Sequence, residues 1–177
     1  MPSLASTPRN SFRANGFTVF ELTMVVMVIA IVAAILVPSV GNNLRSSRLS
    51  TAANVLAADI EYCSSECITR PSTPRAIVFD TTLNKYTVQD LNTSTIVSHP
   101  ADSLPFVNDF TTGRNIQLQG VAIRSIAMGA GTLSVLTFDA YGRPSITADV
   151  IISLSYNNAT MTVTVKKGTG DVTITSP

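Results

Sequence analysis

Residues 16–37 read Gly16-Phe17-Thr18-Val19-Phe20-Glu21-Leu22-Thr23-Met24-Val25-Val26-Met27-Val28-Ile29-Ala30-Ile31-Val32-Ala33-Ala34-Ile35-Leu36-Val37, and the run continues through Pro38 and Gly41 to Leu44. Between Glu21 and Arg45 lie 23 residues without a charge, Leu22 to Leu44. At a rise of about 1.5 Å per residue such a helix spans roughly 34 Å, against a bilayer core of about 30 Å, so a transmembrane helix is the default reading. The alternative is a cleaved secretory signal, but its apolar region usually runs to about 7–15 residues, and no clear small-x-small site follows this one. The preceding residues 1–16 carry Arg9 and Arg13, no acid, and several Ser, Thr and Pro, a short basic leader that favours a cytoplasmic N-terminus. Arg45 and Arg48 just beyond the run leave the charge count alone undecided on orientation.

Glu21 at the mouth of the helix is the anomaly. A carboxylate at the centre of a membrane helix costs roughly 2.5–3.5 kcal/mol on insertion scales, and less near the interface. Nothing nearby in its own helix compensates, so a counter-ion on another chain is indicated; a snorkelling interfacial acid is the plainer alternative. Gly16-Phe17-Thr18-Val19-Phe20-Glu21-Leu22 ahead of a long apolar helix resembles the class III signal of type IV pilins and type II secretion pseudopilins. The resemblance implies cleavage by a prepilin peptidase between Gly16 and Phe17, N-methylation of Phe17, and pairing of Glu21 with the α-amine of a neighbouring subunit. Pro38 falls where that family often has a helix-bending proline, and a proline there cannot bond the carbonyl of Ala34. Asn15 stands where the family commonly has Lys or Arg, Arg13 being the nearest base. At 4 Å and an effective dielectric of 20, the gross attraction of such an ion pair is about 4 kcal/mol before desolvation, so it selects register between subunits more than it adds stability.

Beyond the apolar run the pattern turns amphipathic. Leu49, Ala52, Ala53, Leu56, Ala57, Ile60, Cys63 and Cys67 recur at helical spacing and fill an arc of about 140° at 100° per residue. Arg48, Asp59, Glu61 and Glu66 are expected on the wet side, and Pro71 and Pro74 end the helix. Cys63 and Cys67 read as small core residues. A disulfide at this spacing within a helix has awkward geometry, and a redox role would favour C-x-x-C over C-x-x-x-C.

From residue 75 the texture is strands and turns. Ala76–Phe79 and Tyr86–Val88 are expected to flank a turn at Thr82–Lys85; Ser98–Asn115 reads as loop; Ile116–Leu118 and Val121–Ile123 read as strands, as does Leu133–Phe138. Val150, Ile152, Leu154 and Tyr156 form one face of a strand, Asn157-Asn158 a tight hairpin, and Met161, Val163, Val165 and then Val172, Ile174 alternate with threonines, a meander with one buried face. Phe138-Asp139-Ala140-Tyr141-Gly142-Arg143-Pro144 is similar to the Phe-x-x-x-Gly-Arg hairpin of GspH/FimT-type minor pseudopilins, and Gly168-Thr169-Gly170-Asp171-Val172 resembles their closing Thr-Gly-Arg-Val turn, with Asp171 in place of the base. The expected fold is therefore α+β in a pilin plan: leader 1–16, transmembrane and filament-core helix 17–44, amphipathic continuation 45–70, and a periplasmic β domain at 75–177.

Composition narrows function further. Of 177 residues 45% are hydrophobic and only 13% charged, about half the usual charged share, which argues against a disordered polyelectrolyte. Formal net charge is +1, and loss of residues 1–16 would leave ten bases against eleven acids, so no basic field draws nucleic acid. A DNA-uptake role through Lys166 and Lys167 would rest on two lysines beside Asp171. His99 stands alone before Pro100, and no G-x-S-x-G, H-E-x-x-H or Walker pattern occurs, so neither catalysis nor a cofactor is expected. Asp102, Asp109 and Asp139 lack an EF-hand spacing and read as solvated turn acids, not a metal site. The resemblance implies a structural minor pseudopilin in a type II secretion pseudopilus, anchored in the bacterial inner membrane. Its partners would be other pilins or pseudopilins, prepilin peptidase and secreted proteins. A minor type IV pilus subunit is the alternative.

Overall fold

The computed structural model describes residues 18–176, the side chains of 35–45 excepted. The leader, Gly16 and Phe17 lie outside the described residues. Helix α1 covers Val19–Thr69, and the chain divides at Gly41 into two compact units, residues 1–41 and 42–177. In the first unit the described side chains of 18–34 are all exposed. Among the described residues no helix is long and apolar enough to cross a membrane; the expected span 17–44 runs beyond the described side chains at both ends.

In the second unit the α1 stripe is buried as its spacing predicts. Leu49, Ala52, Ala53, Leu56, Ile60, Cys63 and Cys67 are at most 2% exposed. Each large side chain among them is worth about 1.5–3 kcal/mol of apolar burial, which fixes the helix against the strands. The strands are β1 (Arg75–Asp80), β2 (Lys85–Asp90), β3 (Val107–Asp109), β4 (Ala122–Met128), β5 (Gly131–Thr132), β6 (Val135–Thr137), β7 (Val150–Tyr156), β8 (Ala159–Val165) and β9 (Val172–Thr175). They form two antiparallel sheets in the orders β3-β2-β1-β6 and β5-β4-β7-β8-β9. Alternation sends Ile77 and Phe79, Tyr86 and Val88, and Val150, Ile152 and Leu154 into one core shared with α1. The architecture is α+β, a helix packed on antiparallel sheets.

Turn chemistry sets the registers. Asn84 takes φ +56° in the β1–β2 turn, a conformation asparagine tolerates. Its side-chain amide also donates to the Val121 carbonyl at 2.6 Å and accepts the Ile123 N–H at 2.6 Å, joining the first hairpin to the entry of β4. Asn157, at φ +53°, closes the β7–β8 hairpin with Tyr156 opposite Ala159.

Four expectations need correcting. Residues 116–118 are not a strand but part of a 3-10 helix, Gly113–Leu118. Gly113 opens it at positive φ, and the Asn115 amide donates to Asn108 Oδ1 at 3.0 Å, a tertiary bond that three alternating residues cannot outweigh. The expected loop 98–115 contains β3, paired in register with β2 through Asn108 and Tyr86. Leu133–Phe138 shortens to β6, with Phe138 bridging Pro144 across the following turn. Ile174 is 38% exposed, because β9 is an edge strand paired only with β8.

Candidate functional site

The first region of interest is the N-terminal segment of α1. Thr18 is its cap: Thr18 Oγ1 accepts the Glu21 N–H at 3.2 Å and the Thr18 carbonyl accepts the Leu22 N–H at 3.1 Å. Thr18-Val19-Phe20-Glu21 therefore matches a T-x-x-E capping pattern, and an acid in the first turn suits the positive end of the helix dipole. It is the Glu21 backbone N–H that Thr18 caps, a start signal readable in the T-x-x-E spacing. Glu21 is exposed, and it borders an apolar strip of Met24, Val25, Val28 and Ile29 on the same helix face. Val19 and Phe20 are 79% and 76% exposed, and the large apolar residues from Leu22 to Val32 are also exposed. Such a contiguous apolar surface marks a site for a partner or a lipid phase. Pro38 falls within α1, its side chain outside the described ones.

The second region is the seam between α1 and the sheets. Arg48, Asp59 and Glu66, expected on the wet side, all engage it. At 100° per residue they sit only about 20–40° past one edge of the buried arc. Arg48 donates to the Gln119 carbonyl at 3.1 Å and the Tyr156 hydroxyl at 3.0 Å. Glu66 lies 3.7 Å from Arg75, which pairs with Asp90 at 3.2 Å. Asp59 is buried: its Oδ2 accepts the Tyr86 hydroxyl at 2.6 Å and a hydrogen bond from the Asn108 amide. With Asn115 this makes a buried polar chain tying α1 to β2, β3 and the 3-10 helix. Burial pushes the Asp59 carboxyl up to about 6, even though the Tyr86 and Asn108 hydrogen bonds and the charge of Arg114 favour its ionised form. Glu61 alone of the four is exposed.

The two C-terminal motifs meet at the end of α1. The Asp139 carboxylate accepts the Tyr141 and Arg143 N–H groups at 2.9 and 2.8 Å, and Ser64 donates to the Gly142 carbonyl at 2.7 Å. Gly142 has φ +74°, and a Cβ there would lie 2.7 Å from both Ile68 Cδ1 and Ser64 Oγ, so glycine is needed for backbone and for space. Gly170 sits against Pro144, where a Cβ would approach its Cδ to 3.1 Å. Sequences 138–144 and 168–172, distant in the chain, thus form one corner of the domain. Tyr141, 74% exposed beneath the Arg143 guanidinium, caps this corner.

The remaining candidates have local occupations. Cys63 and Cys67 are free and buried; burial pushes both thiols up, and Cys67 Sγ accepts the Arg75 N–H at 3.1 Å. Raised thiol pKa values disfavour the nucleophilic thiolate. His99 Nδ1 accepts the Ala101 N–H, its ring lies on Phe106, and burial holds its pKa below the usual histidine value. Asp102 pairs with Arg114, Asp109 accepts from Thr111 and Thr112, and Asp139 organises its own turn, so the three aspartates are spent separately. Among the described residues no three His, Cys, Asp or Glu side chains converge as metal ligands would. Lys166 is paired with Asp149 at 2.8 Å.

No family model and no curated protein matches the sequence. Two crystal structures of the type IV minor pilin FimU of Pseudomonas aeruginosa (strain PAO1) are similar in fold. One, at 16% identity, has a TM-score of 0.53 and covers 75% of this chain and 94% of FimU. The other, also at 16% identity, has a TM-score of 0.50, with 73% and 97% covered. The likeness is one of architecture, and it makes the α+β arrangement described above a type IV pilin-like fold.

Proposed function

We propose that this chain is a structural minor subunit of a pilin-like filament, in the finer reading a minor pseudopilin of a type II secretion pseudopilus. The observation that carries this is the exposed apolar segment Val19–Ala34, with Glu21 its single charge, attached to a pilin-like β domain. A folded chain that leaves so much apolar helix uncovered needs lipid before assembly and neighbouring helices after it. In this reading the 17–44 segment is anchored in the inner membrane, with the N-terminus cytoplasmic and the β domain periplasmic. A prepilin peptidase cuts after Gly16, Phe17 is N-methylated, and Glu21 takes the new α-amine of an adjacent protomer as counter-ion. Pro38 loosens the helix for packing. The protein performs no catalysis: the buried thiols and the occupied His99 are poorly placed for it.

A second reading, a minor type IV pilus subunit, is favoured by the fold shared with FimU. DNA uptake through the C-terminal lysines gains less support, because Lys166 is already neutralised by Asp149.

The test is Glu21→Gln, which keeps the capping pattern while removing the charge. The variant is expected to insert and mature normally but to fall by roughly tenfold in its share of sedimented filaments, the equivalent of about 1.4 kcal/mol. Undiminished incorporation would defeat the counter-ion role.

A further inference from the structure

A cleft of about 350 Å³ opens at the seam of the two sheets, lined by Phe79, Thr81, Arg124, Ser125, Thr132 and Ser134, with Leu133 and Ile126 completing it. Its construction is specific. Strand β4 is bulged between Ile123 and Ser125: Ile123 faces Leu154 while Ser125 faces Ser153, leaving Arg124 as the extra residue. Ile123 and Ile126 stay buried, so the bulge turns two consecutive side chains, Arg124 and Ser125, to the surface together. Strand β5 pairs with β4 at Ala127 and Met128, the Leu133 N–H adds a bond to the Ile126 carbonyl at 3.0 Å, and the chain then crosses to the other sheet, where the Ser134 carbonyl accepts the Phe79 N–H at 2.8 Å. The edge of β4 at Arg124 and Ser125 is thereby left uncovered on that side.

The donors around this cleft are unspent. Among the described residues Arg48, Arg70, Arg75 and Arg114 hold hydrogen bonds or ion pairs and Arg143 lies on Tyr141, whereas Arg124 has no such partner. The hydroxyls of Thr81, Ser125, Thr132 and Ser134 likewise make no side-chain hydrogen bond among the described residues, although those of Ser64, Thr111 and Thr112 do. A planar guanidinium flanked by hydroxyl donors matches a carboxylate, which it can grip through two parallel N–H bonds. One cation suits a monoanion better than a doubly charged phosphate. The apolar wall of Phe79, Ile126 and Leu133 and the uncovered strand edge suit an extended peptide.

We propose that this cleft binds a carboxylate side chain presented on an extended polypeptide segment of another chain. The proposal does not depend on filament assembly, and its test leaves Glu21 untouched.

The full-length protein in detergent micelles, isotope-labelled for NMR, is titrated with a tetraglutamate peptide, a tetraglutamine peptide and inorganic phosphate. The amide resonances of Ser125, Thr132 and Ser134 are followed. Tetraglutamate is expected to shift them saturably, tetraglutamine not to, and phosphate only at much higher concentration. Arg124→Gln should weaken tetraglutamate binding by about tenfold or more, the loss expected for a charge-assisted hydrogen bond, while Arg143→Gln leaves it unchanged. No shift with tetraglutamate, equal shifts with tetraglutamine or phosphate, or equal weakening by both arginine variants would each overturn the proposal. Amide spectra of the variants that match the unmodified protein away from the cleft exclude misfolding as the cause.

Discussion

Helix α1 contains two segments of opposite design. From Val19 to Ala34 apolar residues occupy nearly every position and every described side chain is exposed. From Leu49 to Cys67 they keep to one stripe, and that stripe is buried within the chain. The second segment therefore contributes to the stability of the domain, while the described side chains of the first bury nothing. An apolar surface that covers the whole circumference has no single face, so the division into a buried side and a wet side does not apply to it. Polar side chains follow the same division. Glu21 has no counter-charge among the described residues, while Arg48 and Asp59 along the stripe border are matched by groups on the sheets.

The sharpest way to break this comparison is a matched pair of truncations. Leu56→Ala, in a fully buried site, should cost about 2–5 kcal/mol in urea unfolding of the full-length protein in detergent. Val28→Ala, at a site 56% exposed, should leave the midpoint almost unmoved. Similar losses in both would mean that Val28 is as buried as Leu56.

Asp59 sharpens the comparison through pH. Its folded value of about 6 lies above the ordinary 3.8, so its contribution to stability is fully present below pH 3.8 and is lost as pH rises through 6. A shift of roughly two units corresponds to a loss on the order of 3 kcal/mol. Asp59→Asn can still accept from Tyr86 and Asn108 and does not titrate. The stability of the unmodified protein relative to that variant should therefore fall by this amount between pH 4 and 7 in parallel urea titrations. Parallel curves would show that Asp59 is not held in the buried network.

A smaller effect is expected at the corner beyond the stripe. Gly142→Ala combines a positive φ with a crowded Cβ, and thermal unfolding should report a loss of about 1–3 kcal/mol. Gly168→Ala, also at positive φ but with open space around it, should cost less, and the difference isolates the contact with Ser64 and Ile68.

The buried stripe was legible because helical burial imposes a period of 3.6, and its eight members occupy the arc their spacing defines. The hairpins at Asn84 and Asn157 were legible for a related reason, since a positive φ restricts the residue that can occupy it. Asp59 was not. It lies just past the edge of the arc, and what draws it inward is Tyr86 and Asn108, 27 and 49 residues away. The 3-10 helix escaped for the same reason, its course being held by the tertiary bond from Asn115. The edge position of Ile174 depends on strand order, which alternation within a strand does not encode. At the cleft, Arg124 and Ser125 fall beyond the strand expected at 121–123, and it is the bulge in β4 that puts them on one side.

The side chain of Asn84 has a consequence for how the chain tolerates change. It clasps both Val121 and Ile123, so the spacing of the first hairpin and the start of β4 are set by one amide. Lengthening the 82–84 turn by a residue would withdraw that amide and leave the entry of β4 held by its pairing with β7 alone. The exposed bend at 91–95 carries no such clasp to β4, and it is where an epitope or a fluorophore can be grafted with the architecture left standing.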